Sequence, residues 1–313
     1  MQNSYSPEGE YIISEENARI CSDTELLKKA KESKKILEGR AVLCDRNMNL
    51  TVNLGGNIFG IIPKEEVAYQ PDNTEVKDIA ILTRVGKPVC FHVTGFTEIN
   101  GRKTAVLSRR SAQKECYEDF LSKLIPGDII PCCITHTESF GAFADIGCGM
   151  IALLPIDCIS VSRIDHPSDR FPTGTKLRCV IKQIDNSSCR IYISTKELLG
   201  TWEENCLSFS SGQTVSGIIR SVEPYGIFVE LAPNLAGLAE YSDGITEGTF
   251  AAVYIKSINS EKMKIKLVIV SLLNDEIPEN NIKYYIPDTV HHIDHWDYSP
   301  PNCRKYISTI FGN

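Results

Sequence analysis

The sequence predicts an all-β protein with linker helices, in which three small five-stranded barrels follow one another along the chain. Three observations lead to this prediction. Similar segments recur at intervals of 88 and 85 residues, each contains several short alternating strands, and helical periodicity is confined to the stretches between them. The 313 residues, 42% apolar and 23% charged, have the composition of an ordinary globular protein.

The repeats are marked by glycines. Each repeat begins with a glycine and a polar residue that lead into an alternating strand, and each contains a second start of the same kind 36 or 47 residues later. The paired starts are Gly39 and Gly86, Gly127 and Gly174, and Gly212 and Gly248. From every second start the chain reaches an apolar strand end after 20 to 22 residues. Three matched anchors in each unit indicate an internal repeat rather than chance similarity.

The second repeat shows the strand pattern most clearly. Strands are predicted over 129–134, 141–146, 150–154, 177–184 and 190–194. Five short strands in about 70 residues suit a closed barrel, because an open sheet of this size would leave unpaired edges exposed. Each repeat is therefore expected to form a five-stranded OB-fold barrel.

Helical spacing of apolar residues predicts helices over 24–37, 111–124 and 195–207. Together with the repeats, these helices divide the chain into seven parts. They are an N-terminal extension and helix (1–38), a degenerate barrel (39–110), a linker helix (111–124), a barrel (125–197), a linker helix (198–209), a barrel (210–273) and a C-terminal tail (274–313).

Charge and cysteine content narrow the class of protein. The net charge of -7 argues against bulk electrostatic coating of duplex DNA, although residues 40–110 carry 10 basic and 7 acidic side chains. No apolar run approaches the ~18 residues of a membrane span, and the first residues lack the pattern of a secretion signal. The 12 cysteines lie mostly within apolar runs. These features predict a reduced, cytoplasmic protein with no membrane partner.

The hairpins between the first two strands carry a more specific pattern. Ser139-Phe140-Gly141-Ala142-Phe143 and Pro224-Tyr225-Gly226-Ile227-Phe228 place their aromatic residues 13 and 16 positions after the opening glycine. With the Asp185…Arg190-Ile-x-Ile-Ser ending, this pattern resembles the S1 RNA-binding domain, a family named for the largest protein of the bacterial small ribosomal subunit. The resemblance covers 39–110, 125–197 and 210–273, and the three-repeat arrangement resembles bacterial ribosomal-protein-S1-like proteins.

The resemblance implies that single-stranded RNA binds on the barrel face, with two hairpin aromatics stacking on bases. In the second repeat it assigns this role to Phe140 and Phe143, beside Asp185 and Arg190. The third repeat has corresponding residues at Tyr225, Phe228, Asn259 and Lys264. Strand alternation adds three outward-facing basic residues, Arg178, Lys182 and Lys256.

Some positions depart from the family pattern. The family's histidine on strand three corresponds to Pro155, Glu240 and Pro63, so none of the repeats offers an imidazole there. Aligned on Gly39, the first repeat has a hairpin four residues shorter than the second, without an aromatic residue. The first repeat is therefore expected to be degenerate and to dock to a protein or to the ribosome.

The sequence contains no Walker loop, nucleophile elbow or dinucleotide fingerprint, so we expect no enzyme activity, no cofactor and no small-molecule substrate. The predicted function is single-stranded RNA binding with weak sequence preference, in translation or mRNA handling, with mRNA and the small ribosomal subunit as expected partners. The alternative is a protein-interaction scaffold that docks to the ribosome or to an RNA-processing assembly and has little affinity for free RNA. For the individual residues, the alternatives are ordinary barrel packing of the hairpin aromatics and solvated strand faces for the basic residues. The tail histidines His291, His292 and His295 are interpreted as surface or packing residues rather than metal ligands.

Overall fold

A computed structural model describes residues 5–56, 58–70, 74–99, 101–185, 187, 189–273 and 282–311. Three sheets of five strands each close into a barrel, and a two-stranded sheet lies near the end of the chain. Every barrel has the same strand order, in which the third strand pairs in parallel with the fifth. Within these described residues, no helix has the length and apolar character needed to cross a membrane.

Barrel 1 follows two short helices, α1 (Glu15–Cys21) and α2 (Thr24–Glu32), and contains a third, α3 (Asp78–Leu82). Its strands are β1 (Leu37–Cys44), β2 (Leu50–Gly55), β3 (Ile58–Ile62), β4 (Pro88–Ile99) and β5 (Arg102–Ser108). The Asp23 side chain caps α2 by accepting hydrogen bonds from the backbone N–H groups of Glu25 and Leu26. The helix ends at Glu32 rather than at 37 as predicted, because the following residues turn the chain into β1.

Barrel 2 follows α4 (Arg109–Asp119), which is shorter than the predicted helix and is continued by a 3-10 turn over Leu121–Lys123. Its strands are β6 (Ile129–Glu138), β7 (Gly141–Asp145), β8 (Ile151–Pro155), β9 (Lys176–Asp185) and β10 (Arg190–Ser194). Small side chains on β7, Ala142 and Ala144, are completely buried inside the barrel. Because side chains alternate across a strand, Phe143 between them points outward.

Barrel 3 is made of β11 (Thr214–Glu223), β12 (Gly226–Ala232), β13 (Leu235–Ala239), β14 (Phe250–Asn259) and β15 (Lys264–Leu273). The helix predicted over 195–207 is two pieces, a 3-10 turn at Lys196–Leu199 and α5 (Trp202–Cys206). Gly200 separates the two pieces, because its φ of 84° is incompatible with a right-handed helix. Gly200 also lies against the ring of Tyr285. Trp202 packs into the core of barrel 3.

In the first unit, the structure places the start of the repeat at a different residue from the one that the sequence suggested. Gly127 and Gly212 have left-handed φ values of 98° and 92°, but Gly39 lies inside β1, where a Cβ would meet Val52 Cγ1 at 2.6 Å. The left-handed position in the first unit is Lys34, with φ of 50°. The alignment on Gly39 was therefore wrong by five residues.

Backbone hydrogen bonds confirm the corrected alignment. The second glycine of each unit donates to the residue seven positions after the corrected start, over 2.7 to 2.8 Å. These bonds are Gly86 to Ala41, Gly174 to Ile134 and Gly248 to Ile219. With Lys34 as its start, the first unit no longer has the shortened hairpin that the sequence suggested.

The N-terminal segment joins barrel 1 to barrel 2 through buried charges. The carboxylate of Glu8 accepts from Arg109 Nε at 2.6 Å and Nη2 at 3.0 Å. The backbone N–H of Glu8 donates to Asp145 Oδ2 at 2.7 Å, and those of Gly9 and Ile12 donate to Glu38. Burial raises the pKa of Asp145 to about 7, with a further contribution from the Glu8 charge, and burial also raises the pKa of Glu38 to about 7.

The raised pKa values of Asp145 and Glu38 predict that the stability of the fold depends on pH. Their folded pKa values lie above the unfolded values, so between about pH 4 and 7 the unfolded chain releases protons that the folded chain retains. Each group therefore contributes stability that decreases as pH rises through this window. The measurement is the free energy of unfolding from urea titrations at pH 5.5 and at pH 7.5. This free energy should rise more between pH 7.5 and pH 5.5 in the wild type than in the double variant Asp145→Asn/Glu38→Gln. The exposed control Asp119→Asn should behave like the wild type, and equal pH responses in all three proteins would contradict the prediction.

The C-terminal segment, residues 282–311, packs across barrels 2 and 3. It contains β16 (His295–Asp297) and β17 (Ser308–Ile310), which pair antiparallel. His292 Nδ1 lies 2.8 Å from Asp128 Oδ1 in a hydrogen bond that raises the histidine pKa. Tyr298 donates its hydroxyl to the Asn234 carbonyl at 2.6 Å. Nowhere in the described ranges do three His, Cys, Asp or Glu side chains form a group that could hold a metal ion.

Candidate nucleic-acid interface

One line of outward positions crosses all five strands of each barrel, and we call it the outer row. In barrel 2 the strand pairings run from β6 through β7, β8 and β10 to β9. The outer row of barrel 2 is His136, Phe143, Leu153, Tyr192 and Gln183. The equivalent outer row of barrel 3 is Ser221, Phe228, Leu238, Lys266 and Ser257. In barrel 1 it is Leu43, Thr51, Ile61, Val106 and Gly95.

The hairpin aromatics have the same geometry in barrels 2 and 3. The rings of Phe140 and Phe143 have centroids 6.0 Å apart and an interplanar angle of 89°. Tyr225 and Phe228 are 6.2 Å apart at 84°. The first ring of each pair is largely exposed, 56% for Phe140 and 69% for Tyr225, whereas the second is half-buried on the barrel wall. Exposed rings of this size lie where a base could reach them.

Two β-bulges in each barrel determine which residues reach the outer row. On β6 the register shifts between Ile134 and His136, so Thr135 is the extra residue and His136 stands opposite Phe143. Without the bulge, alternation from the buried Ile134 would send His136 inward. His136 stacks beside Phe143 with centroids 6.1 Å apart and an interplanar angle of 18°, and its Nε2 lies 2.6 Å from Glu138 Oε1.

The second bulge changes the predicted basic face. The β9–β10 register shifts so that Lys182 is the extra residue, and its Nζ lies 2.9 Å from the Cys158 sulfur. Lys256 occupies the corresponding bulge of barrel 3 and is exposed. Strict alternation, which placed Lys182 beside Arg178 on one face, does not hold through a bulge.

At the end of the last hairpin, the pairing Asp185–Arg190 in barrel 2 corresponds to Asn259–Lys264 in barrel 3. Asp185 accepts hydrogen bonds from the backbone N–H and hydroxyl of Ser187, and Asn259 accepts from the backbone N–H of Lys262. Both side chains therefore stabilise a turn. Arg190 and Lys264 are exposed beside them.

Comparison with known proteins agrees with this geometry. Residues 123–196 match the family model of the S1 RNA binding domain. The matched residues contain all of barrel 2, which is therefore similar to an S1 domain. The chain is 25% identical over 269 residues to the small ribosomal subunit protein bS1 of Rhizobium meliloti, an alignment that covers 84% of this chain and 45% of that protein. It is 28% identical over 250 residues to the bS1 homolog of Bacillus cereus, covering 77% of this chain and 60% of that protein. The chain thus spans about half the length of these relatives.

Among solved structures, a multidomain protein with nucleic acid binding domains from Streptococcus pneumoniae is similar over 78% of this chain and 76% of that chain, at 13% identity. The TM-score of this match is 0.25.

Arg178, one of the predicted residues, does not lie on the open surface beside the outer row of barrel 2. Arg178 is covered by the C-terminal segment, where its guanidinium donates to the carbonyl oxygens of Ile286, Pro287 and Val290 at 2.7 to 3.2 Å. It also stacks over Tyr284 and pairs with Asp288 at 2.9 Å. Arg178 points out of the barrel as predicted, but this covered position is different from the open basic surface that alternation alone suggested.

The candidate site residues chosen from the sequence did not include two rings of the outer row of barrel 2, His136 and Tyr192. The resemblance predicts no imidazole from strand three, where Pro155 lies, but the structure brings the His136 imidazole beside Phe143 from β6. Only the bulge brings it there, and nothing in the sequence marks that bulge. Tyr192 was recognisable from the alternation of β10, since Ile191 and Ile193 on either side are buried.

Proposed function

We propose that this chain is a non-catalytic, cytoplasmic protein that binds single-stranded RNA on the outer rows of barrels 2 and 3. The observation that carries the proposal is the repetition of one arrangement, an exposed aromatic ring perpendicular to a second ring on the barrel wall, in two barrels of different sequence. Stacking on such rings tolerates any base, because every base has a π face. Sequence preference should therefore be weak.

Basic residues next to the rings provide contacts for the phosphates. Arg190 flanks the outer row of barrel 2, and Lys256, Lys264 and Lys266 flank or join that of barrel 3. Asp185 and Asn259 hold the turns that carry these cations. Arg178 and Lys182 belong to the proposed surface only if RNA displaces their present contacts with the C-terminal segment and Cys158.

The relatives are named small ribosomal subunit proteins, which supports a role in translation or mRNA handling with mRNA and the small subunit as partners. We propose S1-type OB folds for all three barrels. Barrels 2 and 3 keep the limits 125–197 and 210–273 that the sequence suggests, whereas barrel 1 begins at Lys34 rather than at Gly39. Barrel 1 has no aromatic residue in its outer row, where Thr51 stands in the position of Phe143 and Leu43 is 51% exposed. This apolar surface favours a role for barrel 1 in docking to a protein or to the ribosome. If all three barrels served only such docking, the chain would be a protein-interaction scaffold, which is the alternative function.

The two functions differ in their response to salt. Fluorescence anisotropy with a labelled, unstructured RNA of about 20 nucleotides should give micromolar or tighter binding, and affinity should fall with salt with a slope of about -0.7 per phosphate contacted. A duplex of the same length should bind more weakly, because its bases are not available for stacking. No binding of single strands, or equal binding of duplex and single strands, would contradict the proposal and favour the scaffold.

A further inference from the structure

The outer rows of barrels 2 and 3 differ in chemical character. In barrel 2 three of the five positions are rings, His136, Phe143 and Tyr192. In barrel 3 the positions of the histidine and the tyrosine are taken by Ser221 and Lys266. The two barrels share the hairpin aromatics but not the rest of the surface that a strand of RNA would follow.

The extra rings of barrel 2 form a surface suited to bases. The His136 imidazole is inclined by only 18° to the Phe143 ring and is held at Nε2 by Glu138. Histidine is one of the side chains on which unstacked RNA bases stack. Tyr192 lies two strands from Phe143, across Leu153, at a separation of roughly 10 Å given the usual strand spacing. This leaves room for separate bases on the two rings.

The cations are distributed in the opposite way. Barrel 3 presents four exposed lysines on β14, β15 and the turn between them, Lys256, Lys262, Lys264 and Lys266. The lysine ion pairs found within the described ranges all lie elsewhere in the chain. In barrel 2 the equivalent face exposes Arg190, while Arg178 lies under the C-terminal segment and Lys182 contacts the Cys158 sulfur.

From these differences we infer that barrel 2 holds RNA chiefly by its bases, on a platform that includes His136 and Tyr192, and that barrel 3 holds it chiefly by its phosphates. This inference rests on the proposed function and assigns base contacts mainly to barrel 2 and phosphate contacts mainly to barrel 3. Barrel 3 acting alone should show a salt slope of about -3, from four lysines at about -0.7 each, whereas barrel 2 alone should show a slope near -1.

The test uses the full chain with one site disabled at a time. Phe140→Ala/Phe143→Ala/Arg190→Gln disables barrel 2 and leaves barrel 3 active. Tyr225→Ala/Phe228→Ala/Lys256→Gln/Lys262→Gln/Lys264→Gln/Lys266→Gln disables barrel 3 and leaves barrel 2 active. The probes are a 20-nucleotide uridine RNA and an abasic ribose-phosphate chain of the same length, each titrated at 50 and 200 mM salt. The variant that keeps barrel 3 should prefer the uridine RNA by only about tenfold, from stacking on Tyr225 and Phe228, and should show the steep salt slope. The variant that keeps barrel 2 should prefer the uridine RNA by at least a hundredfold, because His136 and Tyr192 add to the hairpin pair, and should show the shallow slope.

Equal slopes and equal preference for bases in the two variants would overturn the inference while leaving RNA binding intact. Failure of the wild type to bind the uridine RNA would overturn the proposed function and the inference together. The two failures are therefore distinguishable.

The role of His136 is tested separately by matched substitutions. His136→Ala should weaken uridine RNA binding about tenfold, whereas His136→Phe, which preserves a flat ring, should stay within about twofold of the wild type. His295→Ala, at an exposed histidine of the C-terminal segment, is the control and should have no effect. Wild-type affinity in His136→Ala, or a loss in His136→Phe as large as that in His136→Ala, would overturn the stacking role.

Discussion

Replacing the four hairpin aromatics Phe140, Phe143, Tyr225 and Phe228 with alanine is expected to reduce affinity for single-stranded RNA by several hundredfold or more. Each stacked base contributes ~1–3 kcal/mol to the free energy of binding. Even at the lower limit, removing four stacking rings therefore costs roughly 4 kcal/mol. Every 1.4 kcal/mol corresponds to about a tenfold change in affinity. Each double substitution alone should cost at least tenfold. The measurement is fluorescence anisotropy with a 20-nucleotide RNA, with circular dichroism to confirm folding.

The matched control for this experiment is Tyr306→Ala/Ile310→Ala, which removes two exposed apolar side chains, 62% and 76% exposed, from the C-terminal segment. The control should bind RNA like the wild type. Binding by the folded quadruple variant within threefold of the wild type would show that the hairpin rings serve the barrels and not RNA.

Removing the Glu230 charge is expected to cause a large loss of stability. The Glu230 carboxylate accepts from Arg170 Nη1 at 2.6 Å and Nη2 at 2.8 Å, and from Arg220 Nε at 2.7 Å. The side chain is 3% exposed, and the two guanidiniums lower its pKa despite burial. Arg170 belongs to barrel 2, while Glu230 and Arg220 belong to barrel 3, so this cluster fixes the two sites relative to each other.

Glu230→Gln would leave two buried guanidiniums without their carboxylate, a change that typically costs about 3–5 kcal/mol. Thermal and urea unfolding should show this loss for the barrel 2–barrel 3 unit, and the exposed control Glu261→Gln should stay within about 0.5 kcal/mol of the wild type. Replacing all three members with apolar residues, as in Arg170→Met/Arg220→Met/Glu230→Leu, should recover most of the stability. A loss of unfolding free energy below 1 kcal/mol in Glu230→Gln would show that this cluster does not stabilise the contact between barrels 2 and 3.

Much of the fold follows from periodic features that the sequence displays directly. Glycine starts, alternating strands and the aromatic hairpins predicted five-stranded barrels and the positions of Phe140 and Tyr225. What the sequence could not provide is register. The bulges at Thr135 and Lys182 each shift alternation by one residue, which moves His136 outward and turns Lys182 towards Cys158.

Two further differences have causes outside the local sequence. The left-handed start of barrel 1 is a lysine, Lys34, so a search for glycines selected Gly39 instead. Arg178 is covered because residues more than 100 positions later fold back over β9. Long-range packing of this kind has no local signature, whereas the outward alternation of Tyr192 was readable and its significance appeared only once the strands were paired.

On the proposed function, RNA lies across the outer rows of barrels 2 and 3. The most direct test is photo-crosslinking of the full chain to a 4-thiouridine RNA of about 20 nucleotides, followed by mass spectrometry of the attached peptides. Crosslinks are expected mainly on the β6–β7 and β11–β12 hairpins, including His136, Phe140 and Tyr225, with few in barrel 1. Crosslinks confined to barrel 1 or to the C-terminal segment, with both aromatic hairpins unmodified, would show that RNA binds elsewhere.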